Sequence, residues 1–535
     1  MGYEKAKMIL NKIKEIIAKK RILYMVCFFL LMLIDWTRGS QVGSTWAWTV
    51  NMTGVIMAII MFSAYDYKVF LKPIYIIYSL MGVIALPLAY WWWNLHQVAI
   101  YRDKLLTAVL NVWLLGILII KLVEDVVIQK TKKLNFTKLE IVTAAMLLWM
   151  LFSVNEDIWP LWYLIMFGLF YHTDYSDEDI EEMKQGMLNG IMVAFFALQG
   201  AAFVFRPFDD GHDRYCGIYA NCNINALFYC VVWIAFLVKL FYLRKEGAKK
   251  WQRLVCFLFC GALMGFMILT ISKTAWISAI LIGICYIVFA DFVFLKKKAG
   301  NVTCFILTLF LVMCISIPIV YSAVRYIPPI FHHPIWYEGE YREDKVHSFD
   351  PWDSEKYVSY EEFTTGVYER IKPIFELVFK DNPMGIKIVH ASEEPVVRAD
   401  QKYKKEDWET YSSILGRIEI WRYYLNNGTL MGHSSTEGHE FGLGDWYVWH
   451  AQNVFVQFWY YYGIPSALLL AIVGVWAVLC SVQKMIRGNE KSLICLLYLV
   501  LFAAYGLFEC VWYPGQMILF LAFFTPKFLI NSQRQ

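Results

Sequence analysis

Charge is scarce in this chain. Only 18% of its 535 residues are Asp, Glu, Lys or Arg, where a soluble domain carries about a quarter. Long apolar runs take the place of the missing charge, and 59% of the residues are hydrophobic and 18% aromatic. An ordinary soluble domain is thereby excluded in favour of a membrane protein. The net charge of +4 is too small for a nucleic-acid binder, so no such partner is expected. Paired Cys-x-x-Cys zinc spacing does not occur, and His433, His439 and His450 have no tight metal-ligand spacing, so no metal site is expected. Most of the 12 cysteines, such as Cys27, Cys256, Cys260, Cys285 and Cys480, sit inside apolar runs as small hydrophobes. Cys216 and Cys222 share a short loop and could form a disulfide if that loop faces an oxidising side. The N-terminal basic stretch is long, and no A-x-A-like site follows the first apolar run, which argues against a cleaved leader. A convincing internal repeat, the mark of many transporters, is also missing.

What is present is a rhythm of apolar runs near the length of about 20 residues that a membrane span needs. They fall near 22–36, 46–64, 73–91, 105–122, 139–153, 158–171, 186–205, 223–242, 254–271, 276–294, 302–321, 464–482, 492–508 and 513–530. The 158–171 run contains Pro160 and could be re-entrant. With a cytoplasmic N-terminus, the inside segments hold 29 basic residues, the short outside loops 6 and one long outside loop 14. This is the positive-inside bias, and it leaves both termini cytoplasmic. The expectation is an all-α polytopic membrane protein of about 12–14 transmembrane helices. Its parts are an N-terminal bundle over 1–321, an extracytoplasmic loop domain over 322–452 and C-terminal helices over 453–535.

The long loop carries 22 acidic against 14 basic residues. Val367, Ile371, Ile374, Phe375 and Val378 are at helical spacing within 358–380, with Asn382-Pro383 as a stop. Trp408, Tyr411, Leu415, Ile418 and Trp421 repeat the pattern within 405–426, ending at Asn427-Gly428. An ordered helical cap against the membrane is expected. The acid-rich strip 174–182 reads as a solvated cytoplasmic loop, and the Trp–Tyr clusters at 91–93 and 459–462 as interfacial belts.

One face of the membrane gathers a particular set of polar groups: Arg206, Arg214, Lys273, Arg417 and His450. Cations there could grip an anionic headgroup, Arg bidentately, and a His could take a proton from a hydroxyl. The plainer alternative is that interfacial Arg and Lys snorkel to lipid phosphates, and that Arg417 pairs with a nearby acid such as Glu419 or Asp407.

At these residues the sequence resembles the O-antigen ligase and polymerase family of bacterial membrane glycosyltransferases. The stretch Arg214-x-x-Gly217-x-x-x-Asn221-x-Asn223 is similar to the family's Arg–Gly–Asn-Pro-Asn segment, with Cys222 in place of the Pro. Thr270 to Ala275 is similar to its Ser-Arg-Gly-Ala turn, with Lys273 where Arg is usual. Gly416-Arg417-Ile418-Glu419-Ile420-Trp421, followed by Gly432, is similar to its Arg-x-x-x-Trp…Gly pattern. His450-Ala451-Gln452-Asn453 with Gln457 and Gly463-Ile464-Pro465 is similar to its His-Asn…Gly-Ile motif. Gln452 falls where the family's His often lies, and His450 stands two residues earlier. Gln cannot act as a base at neutral pH, so either His450 does or the His assignment fails.

The resemblance implies a GT-C-like fold in the bacterial plasma membrane. It implies transfer of a glycan from an undecaprenyl-diphosphate donor to a hydroxyl on a glycan, lipid-core or wall-polymer acceptor. The transfer would be inverting and metal-independent, on the extracytoplasmic face. Lys273 and Arg417 would stabilise the leaving diphosphate with Arg214, and His450 would be the general base. Arg206 and Arg214 would bind substrate, and Asn453, Glu419 and Trp421 would orient it. No cofactor is implied. Ligase and polymerase share these motifs. A lipid-linked oligosaccharide or polysaccharide transporter of flippase type, and a glycan sensor, remain as alternatives.

Overall fold

A backbone crossing lipid must satisfy its own hydrogen bonds, and here the apolar runs do so as helices. The computed structural model describes residues 20–39, 46–96, 102–206, 214–219, 221–331, 358–379, 414–434, 441–443, 446–448 and 450–530. The first group of helices is α1 (Lys20–Gly39), α2 (Trp46–Phe62), α3 (Pro73–His96), α4 (Arg102–Val123), α5 (Lys138–Leu151) and α6 (Trp159–His172). It continues with α7 (Asp177–Phe205), α8 (Cys222–Lys245), α9 (Lys250–Leu269), α10 (Lys273–Tyr286) and α11 (Ala299–Phe331). A π-helical stretch, Ile287–Phe294, extends α10. The long loop contributes α12 (Tyr360–Phe379), α13 (Ile414–Asn426) and an antiparallel hairpin, β1 (Phe441–Leu443) and β2 (Trp446–Val448). The chain re-enters the bundle as α14 (Val454–Tyr461), α15 (Ile464–Ile486), α16 (Lys491–Gly506), α17 (Met517–Phe524) and α18 (Lys527–Ile530).

This is a helical, multi-pass membrane protein, in which 8 helices among the described residues are long and apolar enough to cross a bilayer. Helices occupy every place where the sequence pattern puts a run, yet several fall short of that measure. α5 and α6 have 14 residues each, about 21 Å against a hydrocarbon core of about 30 Å. The last run breaks between α17 and α18, where Pro526 follows Thr525. α8 is the buried centre, with 89% of its apolar window inside the protein, whereas only 11% of that of α3 is covered. The exposed face of α3, including Ile77, Leu80, Met81 and Ile84, is surface for lipid tails rather than water.

Polar contacts sort the helix ends into two sets. At one end Lys20 meets Asp179 at 2.7 Å, Arg244 meets Asp291 at 2.7 Å and Lys245 meets Glu490 at 2.6 Å. At the other end Trp36 Nε1 donates to the Ile218 carbonyl at 3.1 Å, and Tyr215 N–H to the Leu269 carbonyl at 2.9 Å. Asn453 Nδ2 donates to the Leu507 carbonyl at that end, at 3.0 Å. The long loop joins this second set, here called the loop end.

The acid-rich strip 174–182 is not the solvated loop its composition suggests. Ser176 and Asp179 form a reciprocal capping box that starts α7 inside the strip. The acids then receive the basic start of α1, through Lys20 to Asp179 and the Arg21 N–H to Glu182 at 2.9 Å. α1 and α7 approach closely because α7 presents Gly186 and Gly190. A Cβ on Gly186 would lie 2.5 Å from Tyr24 Cβ, and one on Gly190 2.5 Å from the Met25 carbonyl.

Both amphipathic helices expected in the long loop are present, as α12 and α13; residues 405–413 and the Asn382-Pro383 stop lie outside the described residues. Tyr321 Oη and Arg325 Nη1, on α11, both donate to the Val358 carbonyl at 2.6 Å, and Tyr321 stacks on Phe363 of α12. Ile420 and Tyr424 of α13 pack on Ala451, Val456 and Tyr460 around α14. The turn at Gly463 clamps the loop's end: its φ is +87°, and a Cβ there would sit 2.1 Å from the Leu430 carbonyl oxygen. Cys216 and Cys222 carry no disulfide; the Cys216 thiol reaches the Arg214 carbonyl.

Candidate functional site

The loop-end polar groups are built from four separate chain segments. The first is the turn between α9 and α10. Ile271 adopts φ +47°, unusual for a β-branched residue, and Ser272 caps α10. This puts Lys273 at the first helical position, where the helix dipole disfavours a cation. Local helix stability does not call for a lysine there.

The second segment is the loop before α8. Arg214 Nε donates to the Thr270 carbonyl at 2.9 Å, and its Nη2 to Asn223 Oδ1 at 2.5 Å. Asn223 passes the connection on, donating from Nδ2 to Glu509 Oε1 at 2.9 Å. Tyr505 Oη holds the Asn223 carbonyl at 2.5 Å. Arg206 is placed differently from a headgroup ligand. It is 4% exposed, and its Nε donates to the Gly217 carbonyl at 2.7 Å, bracing the loop from within.

The third segment is α13. Arg417 Nη1 donates to the Phe508 carbonyl, and Nη2 lies 3.5 Å from Glu509 Oε1. Trp421, one turn along the same face, has a buried Nε1–H with no partner among the described residues. Glu419 points the other way: it is exposed, without an ion pair among the described residues. Arg417 instead meets Glu509, between α16 and α17, because residues two apart on a helix face nearly opposite directions.

The fourth segment precedes α14. Asn453 is consumed by structure. Its Oδ1 accepts from the Phe455 and Val456 N–H groups at 2.9 and 3.1 Å, capping α14, while Nδ2 ties down the Leu507 carbonyl. His450 Nδ1 accepts from the Gln452 N–H at 3.2 Å, so a neutral ring carries its proton on Nε2. Burial, then the charge of Arg417, push His450 below the ordinary imidazole range and favour that neutral form. In this state Nε2 donates and Nδ1 is occupied. In that tautomer the ring offers a hydrogen bond from Nε2.

Glu509 and Arg370 are the residues that motif reading passed over. Glu509 joins Asn223 and Arg417 through one oxygen, while Oε2 has no partner among the described residues. Burial raises its carboxyl above the ordinary range, although Arg417 and then Arg214 pull it down. A lone carboxylate in the apolar stretch 498–514 was the available signal. Arg370 projects from α12 with no ion pair among the described residues, and Lys273 lies within electrostatic reach of both Arg370 and Arg417. The structure thus joins Arg417 directly and Arg214 through Asn223 to the Glu509 carboxylate, with Lys273 within electrostatic reach of Arg417 and Arg370, and His450 within reach of Arg417.

An apolar groove of about 570 Å³ has Ile268 and Trp276, which flank the Lys273 turn in the chain, in its wall. It runs from Met267, Ile268 and Trp276 down α10 and α11 to Tyr286 and Phe305. A charged head with a long apolar tail fits that sequence of environments. No protein-family profile, curated protein or solved structure matches this chain.

Proposed function

We propose that this protein is a membrane glycosyltransferase that moves a glycan from undecaprenyl diphosphate to an acceptor hydroxyl, as a ligase or a polymerase, on the extracytoplasmic face of the bacterial plasma membrane. The polytopic GT-C-like architecture belongs to the same proposal. The observation that carries it is an excess of cations at the loop end: Arg417 and Arg214 share the single carboxylate of Glu509, and Lys273 lies within electrostatic reach of Arg417 and of Arg370, while an apolar groove is lined by Ile268 and Trp276 on either side of Lys273 in the chain. A diphosphate is the ligand class that such an excess suits, and a polyprenyl chain suits the groove.

In the proposed reaction the acceptor oxygen attacks the anomeric carbon as the bond from that carbon to the diphosphate oxygen breaks. Glu509 Oε2 takes the hydroxyl proton, a role its raised carboxyl and open oxygen favour over His450. His450 Nε2–H and the Trp421 indole N–H are donors to substrate oxygens. Negative charge grows on the departing undecaprenyl diphosphate, and the fixed cations stabilise it more than they stabilise the ground state. Their charge neutralises the diphosphate, so the proposed scheme needs no metal and leads to inversion.

The test is reconstitution in vesicles with a purified undecaprenyl-diphosphate glycan and candidate acceptors. Release of undecaprenyl diphosphate together with a glycosylated acceptor is the expected result, lost in Arg417→Ala and Glu509→Gln. Movement of the intact lipid across the bilayer without release would overturn the proposal in favour of the flippase-type transporter.

A further inference from the structure

At the end of the bundle opposite the loop, buried or half-buried cations meet a carboxylate, as Lys121, Lys132, Lys184 and Arg244 do, or an amide or backbone oxygen, as Lys239, Lys484 and Lys527 do. In a pocket of about 300 Å³ between the end of α8, the start of α9 and α11, a buried guanidinium N–H has neither among the described residues. Its walls include Arg244, Lys250, Arg253, Leu254, Phe257 and Phe305. Arg244 is balanced by Asp291 at 2.7 Å, and its guanidinium lies 4.9 Å from the Phe305 ring centre. Lys250 and Arg253 have no ion pair among the described residues. Arg253 Nε is buried and lacks any hydrogen-bond partner among them. A buried guanidinium N–H without an acceptor is costly, and it identifies a place where an acceptor is needed.

The surroundings say what kind of acceptor. The pocket opens at the first turn of α9, which has no acidic residue and whose backbone N–H groups favour an anion. Beside it Trp251 and Leu254 are 61% and 56% exposed, an interfacial aromatic followed by an apolar face. Below the cations the walls are Leu254, Phe257 and Phe305. A phosphate at the level of Arg253 would therefore have its apolar chains running along α9.

We infer that this pocket binds the headgroup phosphate of an anionic phospholipid, held by Lys250 and Arg253, with its acyl chains against Leu254 and Phe257. The assignment does not depend on the proposed transferase reaction. It gives the basic end of the bundle a specific lipid contact, beyond diffuse attraction between lysines and a negatively charged leaflet.

The test uses the purified full chain in detergent, with phosphatidylglycerol or phosphatidylcholine added and retained lipid counted by native mass spectrometry. Phosphatidylglycerol should be retained in preference. The double variant Lys250→Gln/Arg253→Gln should weaken that retention about thirtyfold, the effect of two headgroup-facing charges. The double variant Lys130→Gln/Lys133→Gln, which removes the same charge elsewhere at this end, should leave retention unchanged. Equal loss in both double variants, or equal retention of the two lipids, would overturn the inference. A third arm adds inorganic phosphate: displacement of the lipid at equal concentration would identify a soluble phosphate site instead.

Discussion

The two ends of this bundle treat charge in opposite ways. Away from the loop, five cations meet acids one to one: Lys20 with Asp179, Lys121 with Asp125, Lys132 with Asp174, Arg244 with Asp291 and Lys245 with Glu490. At the loop end, Arg417 and Arg214 share one carboxylate, half of which is open, and Lys273 lies within electrostatic reach of Arg417 and Arg370 with no acid of its own among the described residues. Desolvating a charge is expensive unless it is compensated. Paired charges therefore hold helices in register, whereas an uncompensated cluster marks a place where a negatively charged ligand completes the balance. At the opposite end, Lys250 and Arg253 line one pocket without an ion pair among the described residues.

If this contrast is right, substitutions at the two ends separate function from stability. The largest effect is expected for Glu509→Gln, which should lower glycan transfer about a thousandfold in the reconstituted assay while the protein still folds. Arg417→Ala should follow, with a loss of about a hundredfold or more, as for removal of one fixed transition-state donor. Because the Glu509 carboxyl lies above the ordinary carboxylate range, kcat/KM should rise with pH through that raised value as the carboxylate forms. A flat profile for the native protein over that range would remove Glu509 from the base role. Asp291→Asn, by contrast, should leave the loop-end cluster intact and strand a half-buried Arg244. A loss of about 3 kcal/mol, read as a lower unfolding temperature in detergent, is expected. The smallest effect belongs to Glu419→Gln, whose exposed side chain should change transfer less than about twofold. A large loss there would show that the outward face of α13 also meets substrate.

The apolar pattern made the helical, multi-pass architecture readable, since lipid leaves no alternative to helices for such runs. The runs at 139–153 and 158–171 are already short in the sequence, and α5 and α6 are correspondingly short helices, whereas the division of the last run at Pro526 is not anticipated by the apolar pattern. The strip 174–182 shows a different limit. Its acids suggest solvent, but the Ser176–Asp179 capping box and the incoming Lys20 turn it into a helix start.

In the candidate site, a shared membrane face and the family resemblance singled out Arg214, Lys273 and Arg417, and the structure places these in one cluster. It places Arg206 beneath the loop, Glu419 on the far side of α13 and Asn453 in a helix cap. Each of these carries a polar side chain near a suggestive motif, and direction decides its role. Direction depends on which way a helix is rotated, and rotation is set by packing. The pairing of Arg417 with Glu509, 92 positions away in the chain, has no local trace at all.

The sequence by itself determined the solvent of this protein, its helical content and the segregation of its basic residues. These follow from transfer free energy and backbone hydrogen bonding, which act residue by residue. Only the tertiary structure decided that Glu509 meets Arg417 and, through Asn223, Arg214, and that Nδ1 of His450 accepts from the Gln452 N–H. It also decided that Arg253 has an unfilled partner position. Those outcomes depend on distances between segments remote in the chain, and no local propensity encodes them.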